Sequence, residues 1–198
     1  MEVSVRKITL AFAALVSVTF SASAQVPARS VTRVYTRIDD VRTNAAGLCR
    51  TVSTTGDKED PVVSKRCPSG PDGWPVTMDF ADARVYVTFG RQAGSGSTLM
   101  DALDGAFADP NNVIEWRMSG GRPFAAIHRY FFDGRQVLTV HRLQPDKTSC
   151  VAAVVTPQEG HDANAEAAEI ADRIGQTFKC GRDDLVIAGK PKIAANRD

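Results

Sequence analysis

The 198-residue sequence has no excess of charge of either sign: 24 Lys and Arg stand against 23 Asp and Glu, a formal net charge of +1. A nucleic-acid surface works by neutralising several phosphates with Lys and Arg, so it leaves a basic surplus, and none is present. Long blocks of like charge are missing too, which argues against an extended solvated segment inside the chain. There is no Cys-x-x-Cys pair, so the common zinc-ribbon and thiol-redox patterns do not arise. Gly94-Ser95-Gly96-Ser97 lacks the Lys of a phosphate loop, no dinucleotide Gly-x-Gly-x-x-Gly occurs, and neither serine sits in a Gly-x-Ser-x-Gly elbow. No cofactor is expected, and no spaced carboxylate pair suggests a glycosidase.

Long apolar runs are also absent. The uncharged apolar run from Ile8 to Phe20, before the small and polar residues that follow it, has 13 residues, against the roughly 20 that a helix needs to cross a bilayer. Arg6 and Lys7 precede it and Ser21-Ala22-Ser23-Ala24 follows it, which is the layout of an export signal cleaved between Ala24 and Gln25. The expectation is a periplasmic or secreted protein, not stably inserted in a membrane once residues 1–24 are removed. Loss of Glu2, Arg6 and Lys7 leaves 22 residues of each sign, so adhesion to an anionic membrane by charge is not expected either.

All four cysteines, at 49, 67, 150 and 180, lie beyond that signal. An even count in an oxidising compartment predicts two disulfides, and four cysteines allow three connectivities. Leu48–Thr54 and Val62–Cys67 flank a turn-rich segment around Lys58, so a hairpin there would set Cys49 opposite Cys67. Ser149–Thr156 reads as a strand. After it, Ala163, Ala167, Ile170, Ala171, Ile174 and Phe178 form an apolar stripe at the helical period, with Asp162 as N-cap. A helix of about 17 residues rising about 1.5 Å each would run back along the strand and return Cys180 to Cys150.

Between the two cysteine pairs the pattern is a β-meander. Val31–Ile38, Trp74–Phe80, Arg84–Phe89, Val113–Met118, Pro123–Phe132 and Arg135–Leu143 read as strands, with a short helix over Leu99, Leu103 and Phe107. Asp133-Gly134 is a two-residue hairpin signal, and it sets His141 opposite Ala126. A turn centred on Gly120-Gly121 sets Glu115 opposite Ala126 in its turn. One face then carries Ile114, Trp116, Met118, Ala125, Ile127, Leu138 and Val140, interrupted by Arg129 and Arg142 at its rim, and is taken as the core under the C-terminal helix. The other carries Glu115, Arg117, His128, Tyr130, Thr139 and His141. The predicted fold is a single α+β domain over residues 25–184: an antiparallel meander of about six or seven strands, one C-terminal helix on one face, two disulfides, and a flexible tail over 185–198.

Cys49, Cys67-Pro68, Gly73-Trp74-Pro75-Val76, Val85-Tyr86-Val87-Thr88-Phe89-Gly90, Glu115-Trp116-Arg117, Pro123-Phe124-Ala125, Arg129-Tyr130, Cys150 and Cys180 occur in this order. The series resembles a group of secreted α-proteobacterial proteins of the rhizobial type, over roughly residues 31 to 184. That group has no established activity. The resemblance implies an envelope location and a shared fold, and it carries over no functional residue.

With no catalytic signature, the expected function is non-enzymatic binding of an envelope protein, peptide or glycan. The candidate contacts are Glu115, Arg117, His128, Tyr130 and His141 on the polar face, and Trp74 beside the first disulfide hairpin. Two alternatives stand beside it. One is a periplasmic inhibitor of a lysozyme-type hydrolase that inserts the Gly90–Ser97 loop into a cleft. The other is a metal-dependent enzyme using His128, His141 and Glu115, although a regular sheet puts Glu115 and His141 roughly 10 Å apart, too far to share a small ion.

Overall fold

The computed structural model describes residues 30–45, 47–93 and 98–189; the expected export signal lies outside them, as do Gly94 to Ser97 of the candidate inhibitory loop. The described residues form two β-sheets and a helix. The larger, seven-stranded sheet is ordered β1 (Val31–Arg37), β7 (Asp109–Ser119), β8 (Arg122–Phe132), β9 (Arg135–Leu143), β10 (Thr148–Val155) and β11 (Val186–Ala188), with β6 (Arg91–Gln92) also pairing with β10. The smaller sheet is the meander β2 (Arg50–Gly56), β3 (Pro61–Arg66), β4 (Val76–Ala81) and β5 (Arg84–Phe89). The longer helix, α2 (Ala163–Ile174), covers one face of the larger sheet, and the smaller sheet covers the other, with the short helix α1 (Leu99–Ala102) beside it.

The expected single meander is therefore two sheets, and the reason is apolar area. Val76, Met78, Val87 and Phe89 of the smaller sheet bury against Ile114, Trp116, Met118 and Ala126 of the larger one, whereas the helix can cover only the opposite face. β11 also corrects the expected tail: Val186–Ala188 pairs in parallel with Ala153–Val155. Both disulfides form as expected, Cys49–Cys67 and Cys150–Cys180. Gly90 to Gln92 of the candidate loop are part of the fold, since β6 pairs with Thr148–Ser149.

Local signals account for most of the elements. Asp133 and Gly134 both take positive φ, 47° and 69°, as the hairpin turn demands. Asp162 caps α2 by accepting from the Asn164 and Ala165 amides at 2.9 and 3.2 Å. The helix has 12 residues, shorter than expected. It stops where the Gly175 carbonyl accepts a hydrogen bond from Arg142, and Phe178, past its end, packs with Cys150 and Cys180.

One bulge decides the faces of the sheet. The β7–β8 turn pairs Ser119 with Arg122 and Met118 with Pro123, as the Gly120-Gly121 centre predicts, but Arg117 then pairs with Ala125. Phe124 is the extra residue. It follows Pro123, which has no N–H for a ladder and is tolerated in strands mainly at edges and bulges. Because side chains alternate, a one-residue slip turns the rest of β7 over. Ala126 faces Trp116, not Glu115. Ile114, Trp116 and Met118 point to the smaller sheet, and Glu115 and Arg117 point to the helix.

Candidate functional site

The bulge separates the residues expected to share a polar face. His128, Tyr130, Thr139 and His141 remain together, yet the smaller sheet covers them, and they are 1%, 0%, 0% and 4% exposed. Phe89 stands edge-on to both imidazoles, with ring centroids 5.9 Å from His128 and 4.6 Å from His141. Their polar atoms are used internally. His128 Nε2 lies 2.8 Å from the Asn111 carbonyl and Nδ1 lies 3.1 Å from the Tyr130 hydroxyl. The carbonyl can only accept, so Nε2 carries the proton and Tyr130 donates to Nδ1. His141 Nε2 meets Thr139 Oγ1 at 3.0 Å, and Thr139 donates to the His128 carbonyl at 3.2 Å.

Burial pulls the His128 pKa down to about 4 and that of His141 to about 3, the neighbouring His128 adding to the second shift. Burial likewise raises the Tyr130 pKa. These groups are a neutral, internally paired network enclosed between two sheets. Glu115 is on the other side of the sheet. It accepts from Arg117 Nη1 at 2.9 Å, while Arg117 donates from Nε and Nη2 to the two Asp172 oxygens of α2 at 2.8 and 2.5 Å. His128, His141 and Glu115 do not converge, and no group of three His, Cys, Asp or Glu among the described residues is placed to hold a metal ion.

Trp74, by contrast, borders a cleft, although the residue is only 3% exposed. The cleft has a volume of about 630 Å³. It lies where three turns meet the end of α2: the 3-10 turn Pro71–Gly73, the β7–β8 turn, the β9–β10 turn and Gln176. Lys147 ties two walls together, with its ammonium 4.6 Å from the Trp74 ring centroid and 2.8 Å from the Asp72 carbonyl. Arg142 crosses the floor, donating to the Gly175 and Phe124 carbonyls.

Four buried side-chain polar atoms among the described residues have no hydrogen-bond partner: Trp74 Nε1, Ser119 Oγ, Arg142 Nε and Thr156 Oγ1. The first three belong to residues that line this cleft. The indole and guanidinium nitrogens can only donate, and a hydroxyl can donate. A buried donor without a partner costs roughly 1–3 kcal/mol, so three beneath the surface of residues that line one cleft require an explanation. Comparison with protein-family models, curated proteins and solved structures finds no match to the chain.

No sequence pattern links Ser119, Arg122, Arg142, Lys147 and Gln176. They come from strand ends, a turn and the segment after α2, far apart along the chain, and only packing brings them together.

Proposed function

We propose that the chain is an exported, non-enzymatic binding domain that takes its ligand in the cleft beside Trp74. The observation that carries this reading is the set of unpaired donors on Trp74, Ser119 and Arg142, three residues that line one concave surface and whose unpaired atoms lie just beneath it, within reach of a ligand after small side-chain adjustment. Ligand sites are concave, largely preformed and equipped with a few fixed polar groups, and this cleft has all three properties. Its walls are braced by the Lys147 bridge and the Arg142 cap, so little ordering would be needed on binding. The two disulfides and the absence, among the described residues, of a helix long and apolar enough to cross a membrane agree with an exported domain. The histidines give no support to catalysis, because they are enclosed.

The test is an NMR titration of the labelled protein with envelope-derived neutral glycans, acidic glycans and peptides. The Trp74 indole and Arg142 Nε–H resonances should move together with the Ser119 amide, saturably. Binding that leaves these three unmoved, or no binding in any class, would overturn the reading.

A further inference from the structure

Resting on the cleft reading above, we infer that the ligand is an acidic glycan: a chain of hydroxyl-rich rings bearing carboxylates, held along a groove with a cationic lining.

The first support is charge. Arg122, Arg142 and Lys147 line the cleft, and its one carboxylate, Asp72, is already bound to Lys147 at 3.2 Å. A second hollow of about 410 Å³ adjoins it, sharing Arg142, Gln144 and Gln176 and adding Lys179 and Arg182 with no carboxylate. In a chain whose charges nearly balance overall, five cations to one anion along a continuous groove form a local positive field, which attracts an anion and raises its rate of encounter. The two joined hollows suit an extended ligand better than a single small ion.

The second support is the kind of contact offered. Most apolar residues of the wall are sealed: Trp74, Phe124 and Leu143 are 3%, 6% and 2% exposed, and Pro145 alone among the apolar lining residues is exposed. Little remains to bury an apolar side chain, which disfavours a peptide. The groove offers donors for oxygen, and it also offers acceptors. Gln144 commits its amide nitrogen to Thr148 at 2.8 Å, leaving its carbonyl for a hydroxyl, and Asp72 stands exposed at the rim. Hydroxyl groups donate and accept, carboxylates accept from guanidinium, and a uronic acid carries both.

The probes are a uronic-acid tetramer, the neutral hexose tetramer of the same linkage, and a tetraglutamate peptide, titrated calorimetrically into the full exported chain. The uronate should bind best, and its affinity should fall several-fold between low and moderate salt. Charge removal uses Arg122→Gln and the pair Lys179→Gln/Arg182→Gln, because neither change touches the braces at Arg142 and Lys147. Each should weaken uronate binding by about fivefold while leaving the NMR response of Trp74 to any neutral ligand intact, a loss of the size expected for a partly exposed ion pair. The salt dependence of the unmodified chain provides the same test if a variant fails to fold. Equal affinity for the neutral tetramer, or no salt dependence, would overturn the anionic ligand and leave the cleft reading standing. Tighter binding of the peptide would overturn the glycan. Silence of the cleft toward all three probes would overturn this inference, and silence in the wider titration would overturn the cleft itself.

Discussion

Arg117 on β7 and Asp172 on α2 form a two-pronged ion pair, Nε to Oδ1 at 2.8 Å and Nη2 to Oδ2 at 2.5 Å. It is one of three such grips. Arg129 of β8 donates to Asn164 at the start of the helix, at 2.6 Å, and Arg142 of β9 donates to the Gly175 carbonyl at its end. Each of three adjacent strands thus contributes one arginine to α2, with the stems packed along the sheet and the heads on the helix. The last grip also places Arg142 on the floor of the cleft.

Asp172→Asn is expected to lower unfolding stability by about 1–2 kcal/mol in urea melts, because Arg117 is nearly buried while Asp172 is partly exposed and screened. A double-mutant cycle with Arg117→Met isolates the pair. A coupling indistinguishable from zero would mean that packing alone holds the helix.

The buried histidines make stability depend on pH. Their folded-state pKa values of about 4 and 3 lie below the unfolded value of about 6.5. The unfolded chain therefore binds more protons in this window, and their contribution is complete above pH 6.5 and declines as pH falls toward 4 and then 3. The slope for each histidine is up to about 1.4 kcal/mol per pH unit. Unfolding at a series of pH values should show it, and His141→Gln should reduce the slope between pH 4 and 6. An unchanged slope in that variant would show that His141 does not carry it.

Replacing Cys150 and Cys180 together by Ser removes a link across 30 residues. The expected loss is about 3–4 kcal/mol from the greater freedom of the unfolded chain. A thermal melt of the double variant that matched the parent would contradict it.

Gly70 tests the contact between the sheets. A Cβ there would lie 2.2 Å from Trp116 Cζ2, although φ at Gly70 is an ordinary −69°. Gly70→Ala should thus cost roughly 1–3 kcal/mol by overpacking alone. Trp116→Phe in the same background should recover part of it; no recovery would place the strain elsewhere.

Strands, turns and helix were largely legible because each depends on neighbours in sequence. The turns at Asp133-Gly134 and Gly120-Gly121 and the N-cap at Asp162 are local devices; Cys49–Cys67 followed from hairpin symmetry, and Cys150–Cys180 from a helix that runs back along its strand, although that helix is shorter than expected. The face of β7 was not legible. Phe124 enters the ladder as an unpaired residue, and its slip sent Glu115 and Arg117 to the helix. The cleft was hidden for another reason: its donors are single residues on separate elements, with no spacing to link them.

The balance of charge, the paired cysteines and the order of most elements were settled along the chain, because composition and short-range geometry suffice for them. Two things were decided only in three dimensions. The second sheet closed over the histidines because the apolar face around Trp116 had to be covered, which turned an apparent reactive surface into interior. Packing of three distant turns against the end of α2 then gathered Trp74, Ser119 and Arg142 around one groove. Nearly balanced charge over the chain is compatible with an excess of cationic side chains along that one groove, since net charge is a sum and a site depends on position.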